Sequence, residues 1–544
     1  MRLDEVFIGE FKNLKDLRVD FDENSPYTVL VGENGSGKSN LLEALALIFR
    51  QLDLELHAPF EYRLRYRCRG WDVWIEAAAG QFPTFRVRRP GEADFQRIAR
   101  RRFMEEDDDG PLFRPAFVFG YYSGPSDRLA SLFERHRERF YDWIIKAPDQ
   151  RTSRVSDPNV LRRLFYAETL HGQFALLGFF MEPAGADGGD REFLREHLQI
   201  EGLDSVLFAL KRPPWRRRGG DPRFWNAVGE VQTFLDRVYD AALLPARMPR
   251  RIPIDLTKNP SVESLYLFLP DAQALESVYQ LYDDAYAFFT ALESTHLSKL
   301  LGEVRTRVRM TSAAGGGEVT YRDLSEGEQQ LLLVLGLLKF TARDEALFLL
   351  DEPDTHLNPA WSTQYLDFLD RFIRDRKSCH IVMSTHDPLV FSRLLRPQVR
   401  VFRRGSDGCA IVDEPIHDPQ GMGIQAILAS DLFRLPSGGL DSDTLRDLER
   451  RRELAARDDL TESEQVELRE VTRRLNALGF WKQDRDPLYQ LFMERFVPQW
   501  AARTGEAEEG PAERSVEEIR RREAIADEIA AEIAQEITSE SGHA

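Results

Sequence analysis

Apolar residues recur along this chain in two rhythms. Near the start, Leu17, Val19 and Phe21 alternate with Arg18 and Asp20, the period-two pattern of a half-buried strand. Val6-Phe7-Ile8 reads as an earlier strand, separated by a turn at Phe11-Lys12-Asn13-Leu14. Tyr27-Thr28-Val29-Leu30-Val31 is a short continuous apolar run, as expected of a parallel strand covered on both faces. A glycine-rich turn follows, and then Leu41, Leu42, Leu45, Ile48 and Phe49 fall at helical spacing. Strands are expected again between residues 60 and 87, most clearly at Trp71-Asp72-Val73-Trp74-Ile75, and at residues 116–122 before the turn Ser123-Gly124-Pro125.

Residues 127–296 read as mostly helical, interrupted at 183–190 and 213–222 by stretches rich in Gly and Asp or in Pro and Arg. Strands resume at 304–308 and 317–321 around a Gly315-Gly316 turn. A long apolar helix, the strand 346–350, a helix and the strand 381–384 then alternate, which predicts an α/β sheet with helices on both faces. Beyond residue 421 the pattern is helical and charged. Residues 515–538 are acidic and alanine-rich, with Ile519, Ile525, Ile529 and Ile533 near one helical face, suited either to docking a partner or to solvent.

Composition narrows the setting. With 544 residues, 42% of them hydrophobic, the chain can bury a large core spread over several domain-sized units. The most apolar stretch, residues 330–340, is too short to span a bilayer, and the opening Met1-Arg2-Leu3-Asp4-Glu5 is unlike a secretory leader. A cytoplasmic protein with no membrane partner is therefore expected. Cys68, Cys379 and Cys409 have no paired short spacing, which argues against a disulfide framework or a cysteine zinc site. The net charge of −18 repels nucleic acid overall, so contact with DNA or RNA would need the arginine segments 86–89, 97–102 and 211–218. Each also reads as a solvated face balanced by nearby acids; in the third, Trp215 and Trp225 add stacking faces.

The candidate chemistry begins at Gly32-Glu33-Asn34-Gly35-Ser36-Gly37-Lys38-Ser39-Asn40, between an expected strand and helix. This is the P-loop pattern: glycines let backbone N–H groups wrap phosphates, Lys38 reaches the terminal ones, and the Ser39 hydroxyl suits Mg²⁺. The second element is Leu347-Phe348-Leu349-Leu350-Asp351-Glu352-Pro353, an apolar strand with two carboxylates at its carboxyl end, where α/β sheets bind ligands. Asp351 is suited to Mg²⁺, and Glu352 to deprotonating an attacking water. The third is Leu324-Ser325-Glu326-Gly327-Glu328-Gln329-Gln330 at a helix start, where Ser325 and Glu328 spell a capping box and the helix N-terminus could hold an anion.

Together these motifs resemble the ABC-type ATPase superfamily, in the branch of RecF, SMC, the Rad-type ATPases and the OLD-like proteins. The resemblance covers about residues 1–122 and 304–403, and implies ATP as the nucleotide with Mg²⁺. Ser325, Gly327 and Glu328 would contact the nucleotide of an opposite subunit, making a homodimer or a higher even-numbered assembly. Asp354-Thr355-His356-Leu357-Asn358-Pro359 resembles the D-loop, and His386, in Ser384-Thr385-His386-Asp387, the histidine that senses the γ-phosphate. Lys12 would lie near the nucleotide; Gln81 is a weak match to the Q-loop. Glu326 stands where transporters usually have glycine, which with the long insert argues against a transporter subunit.

The fold expected is therefore α/β, a P-loop NTPase of ABC-ATPase type with a mixed sheet. Its parts are an N-terminal half at 1–125, an inserted helical region at 126–300, the second half at 301–420 and a helical C-terminal region at 421–544. A narrower resemblance, on residues 117–128, 325–330, 351–361 and 424–433, is to Septu-type and to retron- or restriction-associated ATPases of anti-phage loci. It implies a separate nuclease partner of the HNH type. Asp441-Ser442-Asp443 spells an acidic nuclease motif but precedes a helix, where an N-cap is the better reading, so no intrinsic nuclease is expected. The alternatives are a RecF- or Rad-type DNA repair ATPase and an ATP-dependent scaffold without turnover.

Overall fold

The computed structural model describes residues 1–107, 110–146, 163–181, 189–216, 219–251, 261–341, 345–373, 379–435, 440–457, 460–478 and 525–529. They belong to two compact units, Met1–Pro436 and Ser437–Ala544.

The first unit is organised by a seven-stranded sheet in the order Leu164–Tyr166, Phe117–Tyr122, Ala346–Asp351, Cys379–Ser384, Tyr27–Gly32, Val399–Arg404 and Ala410–Asp413. All neighbours run parallel except the last pair. Ala346–Asp351 and Cys379–Ser384 are buried at every position, which is why they read as unbroken apolar runs. Side-chain alternation sends the two faces of this sheet into two cores. Leu30, Leu347, Leu349, Val382 and Phe402 pack with the helix Lys38–Asp53. Val29, Val31, Phe348, Leu350, Ile381 and Met383 pack with helices that include Leu170–Phe179, Glu326–Thr341 and Pro359–Phe372. Each fully buried aliphatic or aromatic side chain in these cores contributes about 1.5–3 kcal/mol relative to exposure.

A second, antiparallel sheet covers the far side of the helix Lys38–Asp53. Its order is Leu14–Asp20, Arg2–Phe11, Tyr62–Cys68, Trp71–Ala77, Thr84–Arg88 and Gln96–Ile98. In Tyr62–Cys68 the even-numbered residues are buried against that helix while the arginines at 63, 65 and 67 point away.

The region at 126–300 departs from the helical expectation. It contains helices, among them Glu134–Ile144, Gly229–Ala241 and Ala285–Leu297, but also the strands Leu164–Tyr166, Ile200–Lys211, Ala246–Arg251 and Ser261–Leu269. The first extends the central sheet. The other three join Leu301–Met310 and Glu318–Thr320 in a five-stranded antiparallel sheet. Two physical features hide these strands. In Ser261–Leu269 the inward Leu265, Leu267 and Leu269 alternate with Tyr266 and Phe268, so apolar residues fill both faces. In Ile200–Lys211 the pairing with Leu301–Met310 shifts register at several bulges, which breaks the period of two.

In the second unit the helices Ser442–Ala455 and Glu462–Ala477 are joined by ion pairs of Arg450 with Glu467 and Arg474 with Asp447. Asp441 caps the first helix, accepting from the N–H groups of Asp443 and Thr444. Of the apolar face expected at 515–538, Ile525 and Ile529 are buried, whereas Ile519 and Ile533 lie outside the described residues. Among the described residues no helix is long and apolar enough to cross a membrane.

Gly32 closes the strand Tyr27–Gly32 opposite Phe402, at φ 144°, and a Cβ there would stand 2.0 Å from the Phe402 carbonyl oxygen. Backbone, unlike a flexible side chain, cannot yield. Gly32→Ala is expected to lower stability by about 3 kcal/mol, measured as a fall in the urea midpoint; an unchanged midpoint would contradict this packing.

Candidate active site

The parallel register brings the carboxyl ends of Tyr27–Gly32 and Ala346–Asp351 to either side of Cys379–Ser384. The turn after Gly32 has left-handed glycines at Gly35 and Gly37, with φ 77° and 117°, and it leads into the N-terminus of Lys38–Asp53. Such a turn gathers backbone N–H groups into an anion-binding concavity. Ser36 carries a buried hydroxyl with no hydrogen-bond partner, an orphan that a phosphate oxygen would satisfy. Lys38 arches back over the turn, donating to the carbonyls of Gly32 at 2.7 Å and Glu33 at 3.2 Å. Burial draws its ammonium pKa down to about 8, although Asp351 and Glu352 oppose the shift. Asn34 is exposed on the turn. Asn40 donates to Asn13 at 2.6 Å, and Asn13 donates in turn to the Gly35 carbonyl at 3.2 Å, so this pair braces the loop.

Asp351 is nearly fully buried, and its Oδ1 accepts from Ser39 Oγ at 3.1 Å and from Ser384 Oγ. A hydroxyl and a carboxylate in this relation are the hard oxygen donors that Mg²⁺ takes, and they fit it. Glu352 follows at φ 54°, a left-handed value for a non-glycine residue, with its N–H held by the Ser384 carbonyl at 3.1 Å. That turn aims its carboxylate off the strand end. Burial, with the charge of Asp351 adding, raises the Glu352 pKa, while Lys38 and Arg128 counteract. His386 Nε2 stands 3.7 Å from Glu352 Oε1, and burial together with Lys38 lowers the His386 pKa, which favours the neutral ring.

Ser325 is engaged differently. Its N–H and Oγ both donate to Glu328 Oε2 at 2.7 Å, and the Glu328 N–H returns to Ser325 Oγ at 3.3 Å, a complete capping box. The exposed Ser325 and its partner Glu328 thus satisfy one another at the start of Glu326–Thr341, without a hydrogen bond to the P-loop. Gly327 lies against the segment 354–359, where a Cβ would meet the His356 carbonyl oxygen at 2.4 Å. Gln330 links the two segments: it donates to the Glu352 carbonyl at 3.4 Å and accepts from the His356 N–H at 3.2 Å.

Lys12 pairs with Glu43 on the P-loop helix. Gln81 is exposed in the turn after Trp71–Ala77, its carbonyl accepting from Ala58 at 2.8 Å, and it belongs to that turn. In the first two arginine segments, Arg86 pairs with Glu76, Arg88 with Asp72, Arg100 with Glu55 and Arg102 with Glu105. Trp215 donates to the Ser298 carbonyl and Trp225 to Glu263, so both indoles are held by the fold. Arg217 and Arg218 lie outside the described residues. The sequence reading missed the contributions of Ser384, Asp354, Gln330 and Arg128. Ser384 was legible in principle, as the last residue of a strand whose register pairs it with Asp351.

The family model described as "AAA domain, putative AbiEii toxin, Type IV TA system" matches residues 27–392. The chain is 25% identical over 120 residues to the Septu protein PtuA of Bacillus mycoides (strain KBAB4), covering 21% of this chain and 16% of that protein. It is 49% identical over 45 residues to the DNA replication and repair protein RecF of Lactobacillus acidophilus, covering 8% of this chain and 12% of the relative. These alignments span less than a fifth of either relative's own length. Among solved structures, the SMC head bound to the C-winged helix domain of ScpA aligns with a TM-score of 0.29 at 12% identity, over 76% of this chain and 98% of that one.

Asp354, two residues beyond Glu352, accepts a hydrogen bond from the Thr385 hydroxyl in a buried position. Burial raises its pKa to about 7 from an ordinary 3.8, against the effect of that hydrogen bond. The native state keeps a proton there that the unfolded chain has lost, so this stability is full below about pH 4 and is lost as pH rises through about 7. Asp354→Asn, neutral at every pH, should therefore gain on the parent protein between pH 5 and pH 8 in urea unfolding. A gap that stays constant across that range would contradict the assignment.

Proposed function

Since this chain belongs to the AAA-domain family that its residues 27–392 match, we propose that it is an ATPase of ABC type, a switch that closes as a dimer over ATP and controls a partner nuclease. What supports the catalytic part is one observation: Lys38, Ser39, Asp351, Glu352 and His386 converge at the carboxyl ends of three adjacent parallel strands.

In this reading the P-loop amides and Lys38 bind the β- and γ-phosphates. Ser39 and Asp351 hold Mg²⁺, which when bound neutralises phosphate charge. Glu352, its pKa already raised, accepts a proton from the attacking water. Neutral His386 donates a hydrogen bond to the terminal phosphate and keeps that water aligned with Glu352. The fourth wall comes from a second copy. Ser325, exposed and capped by its own Glu328, offers a helix N-terminus to the nucleotide of the opposite subunit, as do Gly327 and Glu328 beside it. Gln330 then carries the state of the Glu352 strand end to the signature helix through two hydrogen bonds.

The partner reading rests on the likeness to the Septu protein; in it the chain acts in anti-phage defence, in the cytoplasm. By that resemblance the nuclease is a separate chain of the HNH type; Asp441, in the acidic Asp441-Ser442-Asp443, is spent on capping a helix, in keeping with a nuclease outside this chain. A DNA repair role is the second reading, favoured by the 45-residue likeness to RecF.

Glu352→Gln is the direct test. It should bind ATP, lose hydrolysis by about a thousandfold, and accumulate as a dimer or higher even-numbered assembly when mass is measured in solution with ATP and Mg²⁺. A Glu352→Gln protein that hydrolyses at the parental rate would overturn the assigned base, and one that stays monomeric with ATP bound would overturn closure.

A further inference from the structure

The strand Phe117–Tyr122 pairs in parallel with Ala346–Asp351, and its last residue, Tyr122, registers with Asp351. The loop that follows must therefore pass over the carboxylates of the site. It brings in Arg128, the last residue of the segment 117–128, to which no role was assigned. Its Nη2 stands 3.7 Å from Asp351 Oδ2, the oxygen left over once Ser39 and Ser384 have taken Oδ1. Its Nε stands 3.3 Å from Glu43 Oε1, a buried acceptor with no hydrogen-bond partner, while Glu43 Oε2 holds Lys12. The guanidinium also lies over the Tyr122 ring, 5.7 Å from its centroid.

We infer that Arg128 is a built-in countercation of Asp351 that transfers to the terminal phosphate when ATP and Mg²⁺ bind, so that the site tells ATP from ADP. The inference rests on the ATP site proposed above. A buried carboxylate needs a positive neighbour. Lys38 shares in the charge balance of Asp351 but spends its hydrogen bonds on two carbonyls, and the ion pair at the outer oxygen of Asp351 is made by Arg128. Its hold there is loose. At 3.7 Å the pair is an ion pair beyond hydrogen-bond range, and 40% of the Arg128 side chain is exposed. A divalent cation seated on Ser39 and Asp351 would compete for the same carboxylate and repel the guanidinium.

The backbone beside Arg128 is anchored locally, which leaves the side chain as the part free to swing. The Arg128 carbonyl accepts from Ser131 Oγ at 2.9 Å, and the adjacent Leu129 is buried in the core. Glu43 and Tyr122 give the displaced guanidinium a track along the P-loop helix instead of release into solvent. A planar fork of N–H donors next to the phosphate cradle matches phosphate oxygens bidentately. ADP has no γ-phosphate to receive it, and leaves Arg128 on Asp351 and Glu43.

The test is calorimetric titration of ATP and of ADP, each with Mg²⁺, in a Glu352→Gln background that prevents turnover. Arg128→Ala should weaken ATP by about tenfold or more while leaving ADP unchanged or slightly tighter. Arg128→Gln, which keeps the stem over Tyr122, should behave the same way, and Arg128→Lys should restore part of the ATP affinity. Thermal melts without nucleotide identify any variant that fails to fold, and Arg128→Gln then carries the comparison. Equal loss of ATP and ADP, or no loss of either, in a folded variant overturns the assignment. If the Glu352→Gln parent itself binds neither nucleotide, the failure lies with the ATP site and not with Arg128.

Discussion

Asp351 ends a strand that is buried throughout, and its charge has almost no access to water. A carboxylate in that position is tolerable only if donors and cations are built around it. The chain supplies them from separate places: Ser39 at the start of the P-loop helix, Ser384 at the end of the neighbouring strand, and Arg128 from the loop after Phe117–Tyr122. Holding those segments against one carboxylate fixes the P-loop, the switch strand and the loop that opens the insert relative to each other. Glu352 then follows from the same constraint, because its N–H takes the Ser384 carbonyl and its left-handed turn projects the second carboxylate beyond the sheet.

The second core explains how this polar cluster is kept rigid. The P-loop helix lies between the central sheet and the antiparallel sheet built from residues 2–98, so its start cannot shift without disturbing both. Gly32 and Gly37 mark where that packing is tightest: side-chain atoms at either would meet Phe402, or Leu14 and Ala410. On the other face, Gly327 lets the helix Glu326–Thr341 approach the His356 backbone, and Gln330 ties it to Glu352. Hydrogen bonds thus connect the strand end that bears the proposed base to the surface proposed to meet a second copy.

Much of this was legible in the sequence because the informative signals are local. The parallel strands at 27–31, 346–350 and 381–384 announce themselves by unbroken burial, and the glycine turn before Lys38 by its spelling. What escaped is non-local or masked. The strand Ser261–Leu269 carries Tyr266 and Phe268 on its outer side, so its period disappears, and the bulged Ile200–Lys211 loses its period through register shifts. Arg128 lies more than two hundred residues from Asp351, and only the pairing of Tyr122 with Asp351 brings them together. Asp354 reads only as the first residue of the segment that resembles the D-loop until Thr385 is seen to donate to it in a buried site.

The central claim is that a working site needs a P-loop from one copy and a signature segment from another. Complementation tests it most directly. A Lys38→Met protein keeps its signature segment, and a Ser325→Arg protein keeps its P-loop; each alone should be inactive. Mixed, they form heterodimers in which one of the two sites is intact, and ATP hydrolysis should return. If a mixture shown to contain heterodimers stays as inactive as its components, the nucleotide site is not shared between copies.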